Sequence, residues 1–309
     1  MKYNQWLDIW LENYVKPTSK IKTYTIYKQI VEKRLKPRLG EYELNEISPV
    51  ILQCYVTELL RQGNAITGAG LSANTVNGII TVIQNSLKLA CMIGESEKYI
   101  ADKIKRPKIS EKEVSCFTVT EQKKIERAVL ADKRQKMFGI VLCLYTGLRI
   151  GELLALTWKD IDFIKGVLSV NKTIHDGKDE NGRFCSIIGV PKTQSSVRNI
   201  PLPKQLIPLL QKLKKQSDSE YVISDKGKGI SIRVYQRNFS KLLERINIPH
   251  KGFHALRHTF ATRALECGMD VKTLSEILGH KSATVTLNRY VHSMADYKKE
   301  MMNKLGKLL

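Results

Sequence analysis

The chain lacks any apolar run long enough to cross a membrane: the longest, Phe138–Tyr145, is eight residues, against the roughly 20 that a spanning helix needs. Its first residues, MKYNQWLDIWLENYVKP, break up their apolar positions with acids and amides where a secretory signal needs a continuous apolar region. The chain is therefore expected to stay in the cytoplasm. The six cysteines, Cys54, Cys91, Cys116, Cys143, Cys185 and Cys267, form no C-x-x-C pair, which fits neither a disulfide framework nor a zinc ribbon. No fixed-period repeat or low-complexity tract is present. Acids are scarce as well, 30 against 51 Lys and Arg, leaving +21 over 309 residues. The excess is not confined to one tail, with +6 across residues 1–108 and +15 across 109–309. A polyanion is the expected partner, and nucleic acid the first candidate. A ribosome-associated or simply basic protein fits the charge equally well.

What is present is enough for folded cores, since 42% of residues are hydrophobic. The first hundred residues read as four helices: Tyr3 to Tyr14; a segment from Thr18 with Tyr24, Tyr27, Ile30, Val31 and Leu35 at helical spacing; one from Ser48–Pro49 to Arg61; and one from Ser72 to near Gly94. The polar, basic stretch Lys103–Glu113, broken by Pro107, carries no apolar periodicity. The expected organisation is a helical domain over 1–104, a basic linker over 105–116 and a second domain over 117–309 with a tail at 294–309. In the second domain Thr118 and Glu121 stand at capping-box spacing, and Lys136 to Tyr145 reads as a buried helix. From Trp158 to Leu202 the texture is β (VLSVNKTI, RFCSIIGV, SVRNIPL) and predicts a small antiparallel sheet. Helices resume at Pro203, Ser231 and beyond Gly252. The fold class is mainly α with a small antiparallel sheet.

Three short segments concentrate polar residues, and a further stretch, PKTQSSVR, bears on the resemblance given below. TGLRIGELLAL puts Arg149 at a helix start behind a glycine turn; a solvated helix-start arginine is its plainer reading. PKTQSSVR puts Lys192 on a hairpin loop, where a solvated lysine is the plain reading. HALRHTFAT places His254 and Arg257 on one helix face. The His254/His258 spacing also suggests a metal pair, but Ala255 stands where a zinc peptidase carries its glutamate. LGHKSATVTLNRYVH carries His280 at a helix end and Tyr290 ten residues on.

Taken together these segments resemble the tyrosine recombinase, or phage integrase, family, especially integrases of Gram-positive conjugative transposons and phages. The resemblance covers nearly the whole chain and implies a helical core-binding domain followed by a catalytic domain, the two clamping duplex DNA. It implies that Arg149 and Arg257 hold the scissile phosphate with planar forks. Tyr290 is then the nucleophile that forms a 3′-phosphotyrosyl link, and Lys192 protonates the 5′ leaving oxygen. His254 and His280 hydrogen-bond phosphate oxygens or relay protons. Glu152 is expected to orient an arginine, an exposed helix glutamate being the alternative, and His258 to be structural, hydrogen-bonded within its helix. Neither metal nor other cofactor nor ATP is implied, because the covalent link conserves the bond energy. The implied work is integration and excision of a mobile element by a homo-tetramer on paired DNA sites through a Holliday junction, with excision or DNA-bending accessory proteins as further partners. The tail, with Leu305, Leu308 and Leu309, is implied to dock into a neighbouring protomer. A chromosome-dimer resolvase of the same family and a catalytically silent DNA-binding regulator are the rival readings. Many integrases of this branch carry an additional arm-binding domain at the front; the chain is expected either to lack it or to be a trimmed form.

Overall fold

The computed structural model describes residues 1–64, 67–109, 114–132, 134–178, 184–189, 197–290, 302, 303 and 306. The chain divides into two compact units, Met1–Lys112 and Glu113–Leu309, each with its own core.

The first unit is helical. α1 runs through Tyr3–Ile9, Trp10–Val15 and Lys16–Thr18, and α2 through Ile21–Ile30, Val31–Leu35 and Lys36–Leu39. α1 runs past Tyr14 to Thr18, so Thr18 ends the first helix instead of opening the second, and α2 begins at Ile21 and runs past Leu35 to Leu39; both ends lie beyond a proline for one reason. Pro17 and Pro37 lack an N–H and press on the turn before them, which normally ends a helix. Here each Lys-Pro pair follows a stretch wound as π-helix, Trp10–Val15 and Val31–Leu35, whose wider turn accommodates the proline. α3 (Pro49–Gln62) starts at Ser48, whose side chain accepts from the Ile51 N–H, and α4 (Ala73–Met92) at Ser72, which accepts from Thr75. Tyr3, Trp6, Leu35, Leu52, Val56, Ile79, Ile80 and Ile83 lie among the buried side chains. The buried Tyr3 hydroxyl and Trp6 indole N–H are paired with Ser86, at 2.7 and 3.0 Å.

In the second unit α5 (Val119–Leu130) opens with a closed capping box between Thr118 and Glu121. α6 (Phe138–Thr146) is buried along nearly its whole length and stops at Gly147, which α7 (Ile150–Ala155) follows at once. The β region is antiparallel throughout but is not one sheet. β1 (Ile161–Asp162), β2 (Val167–Val170) and β5 (Arg198–Pro201) make a three-stranded sheet with β2 central, whereas β3 (Thr173–Lys178) and β4 (Phe184–Gly189), among the described residues, pair only with each other. α8 (Leu206–Lys215), the two-residue strands β6 (Ser224–Asp225) and β7 (Lys228–Gly229), and α9 (Ile232–Arg245) complete the shell. α10 (His254–Glu266) packs on α6, and α11 (Val271–Leu278) and α12 (Ala283–Tyr290) follow it. Cys54, Cys91, Cys116, Cys143 and Cys267 are free thiols. Among the described residues no helix is long and apolar enough to cross a membrane.

Candidate active site

Two left-handed glycines build the site. Gly147 ends α6 at φ +64° and Gly279 ends α11 at φ +63°, a conformation in which a Cβ is strained. Their helix C-termini present carbonyl oxygens, at the negative pole of each helix, to the same group of guanidiniums.

Arg149 caps the start of α7, and the Glu152 carboxylate folds back to accept from the Arg149 backbone N–H at 2.9 Å and from its Nη1 at 2.8 Å. Arg149 Nη2 donates to Gly279 O at 3.1 Å. Arg257, on α10, is 2% exposed; its Nη1 donates to Gly147 O at 2.8 Å and its Nη2 to Leu278 O at 2.6 Å. A third arginine, Arg198 at the start of β5, donates from Nη1 and Nη2 to Glu152 at 3.1 and 2.9 Å and from Nε to Ile277 O. The consecutive carbonyls of Ile277, Leu278 and Gly279 thus each receive a guanidinium. Burial raises the Glu152 carboxyl, but Arg198 and then Arg149 outweigh it and hold the group below its ordinary range, as a carboxylate. Burial first, then the Arg149 charge, lowers Arg257 to about 9, which leaves it cationic at neutral pH.

Tyr290 closes α12 and is 1% exposed, packed among Ala261, Leu265, Leu274 and Leu278. Its hydroxyl lies 2.6 Å from His258 Nδ1. Burial pushes the phenol up while Arg257, Arg289 and Arg149 pull it down, with a net rise. His258 is lowered to about 3, chiefly by burial and then by His254 and Arg289. Burial thus disfavours the charged form of both groups, and Tyr290 rests as a neutral phenol. His280 bonds Thr286 Oγ1 at 2.7 Å and is lowered to about 4 by burial and then by Arg257 and Arg149. His254 stands at the start of α10, its ring edge-on to that of His258 at 4.6 Å.

Arg149, Glu152, His254, Arg257, His258, His280 and Tyr290 thus come together in one place, and Lys192 lies outside the described residues. His258 differs from its expected role: it bonds the Tyr290 hydroxyl, not a group of its own helix. Glu152 is 4% exposed, because two arginines compensate a carboxylate that burial alone would protonate. Among the described residues no three His, Cys, Asp or Glu side chains are arranged to hold a metal ion. Sequence reasoning missed Arg198. The signal was an arginine in strand phase with Ile200 and Leu202, which face the core.

The Phage integrase family profile matches residues 116–296, and the profile of the phage integrase N-terminal SAM-like domain matches residues 2–60. The chain belongs to the phage integrase family. A tyrosine recombinase XerC-like protein of Caldanaerobacter subterraneus subsp. tengcongensis is 32% identical over 97% of this chain and 81% of its own. The ICEBs1 integrase of Bacillus subtilis is 26% identical over 94% and 79%. Among solved structures, the Tn1549 transposon integrase in complex with a circular intermediate DNA shares the fold, with a TM-score of 0.80 and 24% identity over 99% of both chains.

Proposed function

We propose that this chain is a site-specific DNA recombinase that integrates and excises a mobile element, cleaving and rejoining duplex DNA through a 3′-phosphotyrosyl intermediate at Tyr290. The observation that carries the proposal is the convergence of Tyr290, Arg149, Arg257 and His280 around the end of α11. A phosphodiester gains negative charge as it becomes a pentacoordinate phosphorane, and two guanidiniums meet that charge. Arg149, with its side chain 36% exposed, and His254, exposed, mark the side from which the phosphate enters. Tyr290 Oη bonds to phosphorus as the P–O5′ bond breaks, the phenol proton leaves to a neighbouring base, and Lys192 protonates the departing O5′. Religation runs the same steps in reverse. The phosphotyrosyl ester keeps the energy of the broken bond, so the cycle needs neither ATP nor metal. A homo-tetramer on paired sites, exchanging strands through a Holliday junction and assisted by DNA-bending or excision proteins, is the assembly in which this chemistry becomes recombination. The likeness to a XerC-like recombinase supports a second reading, chromosome-dimer resolution by the same steps.

A nicked duplex tests the chemistry, because its short fragment diffuses away after attack and traps the covalent complex. The wild type is expected to give a detergent-resistant adduct, with or without chelator, and Tyr290→Phe none while still binding the duplex. An adduct mapped to any other tyrosine would overturn the assignment.

A further inference from the structure

We propose that Arg198 is a positioning residue of this active site: it holds Glu152 and the end of α11 in place so that Arg149 and His280 meet the phosphate in fixed geometry. The proposal rests on the recombinase reading and adds to it a residue that touches no reacting atom.

Three observations carry it. The fork of Arg198 grips both oxygens of Glu152, at 3.1 and 2.9 Å, while its Nε reaches Ile277 O. One side chain therefore ties β5, α7 and α11 together. Those segments hold the groups that matter: Glu152 bonds both the backbone and the side chain of Arg149, and Ile277 lies three residues before His280. The turn itself is shaped around Arg198. A Cβ on Gly279 would stand 3.0 Å from Arg198 Nη1, and the φ of +63° disfavours one in any case. Finally, the Arg198 side chain is only 6% exposed and that of Glu152 only 4%, so the fork is committed inward. Arg149, by contrast, is partly open to solvent. A lysine could not replace this arrangement, because its donors radiate from one atom and cannot span two carboxylate oxygens and a carbonyl.

The reading makes Glu152 the transmitter, and Glu152 reports on it. The charged and titratable groups that face Glu152 are Arg149 beside it, Arg198 from β5, Arg257 and His254 from α10 and Cys143 from α6. Arg198 is the largest influence keeping its carboxyl ionised against burial. Without Arg198 the carboxyl titrates at a higher pH, and once protonated it releases the Arg149 fork.

The test measures single-turnover adduct formation on a nicked duplex across pH 5 to 9, with duplex affinity and thermal unfolding measured in parallel. Arg198→Met is expected to bind DNA within about threefold of wild type and to cleave about ten- to a hundredfold more slowly. It should also acquire a limb that rises with pH and is missing from wild type. Glu152→Gln in the same background should abolish the limb, and the double variant should cleave about as fast as Glu152→Gln alone. Losses that multiply, a pH profile unchanged in shape, or a cleavage defect matched by lost DNA binding would each overturn the proposal. A wild-type rate in Arg198→Lys would do so too, and that variant with Glu152→Gln carries the test if the methionine variant does not fold. Absence of any Tyr290 adduct from wild type takes down the recombinase reading with this one. An adduct from wild type and an equal one from Arg198→Met removes only Arg198.

Discussion

Tyr290→Phe deletes a single oxygen and gives two separable readouts. In the folded chain that oxygen lies 2.6 Å from His258 Nδ1, on a residue 1% exposed. Losing the bond leaves a half-buried ring nitrogen without this partner, which costs about 1–3 kcal/mol. Against that, the phenol oxygen no longer has to be desolvated, which returns roughly half of the loss. A net destabilisation of about 1 kcal/mol remains, equivalent to a Tm lower by about 2–4 °C for a unit of this size. Calorimetry on wild type, Tyr290→Phe, His258→Ala and the double variant closes a cycle in which the coupling between the two positions should be about 0.5–1.5 kcal/mol. The adduct vanishes in Tyr290→Phe whatever the Tm does. If removing the hydroxyl costs the same with and without the imidazole, Tyr290 is not seated on His258, and the stored neutral nucleophile is wrong.

Stability should fall in mild acid. His258 and His280 have folded values of about 3 and about 4, below the ordinary 6.5, so between those limits the unfolded chain takes up protons that the folded chain refuses. Stability is complete above pH 6.5 and declines as pH drops toward 4; a Tm difference between pH 7.5 and 5 that is no smaller in His280→Gln than in wild type would remove His280 from that account. Arg149→Lys keeps the charge and loses the fork. It should slow adduct formation by about a hundredfold or more while duplex affinity, spread over many phosphates, changes by less than about threefold, and cleavage near the wild-type rate would exclude Arg149 from the site. Lys192→Ala should slow cleavage of an ordinary duplex, and a 5′-bridging phosphorothiolate, whose sulfur departs without a proton, should restore it. Equal defects on both substrates would make another group the acid.

The residues that come together around α11 were legible because each announces itself locally. Arg149 follows the glycine turn of TGLR, His280 follows the glycine of LGH, and HALRH sets His254 and Arg257 at i, i+3 on one helix face. What holds them there was not. Arg198 reaches Glu152 and Ile277 across long stretches of chain, and no local pattern tells a strand arginine committed inward from one at a sheet edge. The same limit misplaced His258, whose partner Tyr290 belongs to another helix. The β texture between Trp158 and Leu202 was plain, but its division into a sheet and a separate hairpin depends on strand pairing. The first two helices end beyond Tyr14 and Leu35 because each continues through a Lys-Pro pair, and a π-wound turn that absorbs a proline leaves no compositional mark.

The carbonyls of Ile277, Leu278 and Gly279 also act as a placeholder anion. Three guanidiniums gathered in one pocket would repel each other and attract any passing phosphate or sulfate. Seated on a helix terminus, they are already neutralised in part by the chain itself. A small anion arrives with nothing but its charge and must compete with three oxygens already in position. A duplex arrives held along its backbone by a chain of +21 and competes on much better terms. On the recombinase reading proposed above, discrimination between loose phosphate and DNA is set in the resting protein, before any base is read.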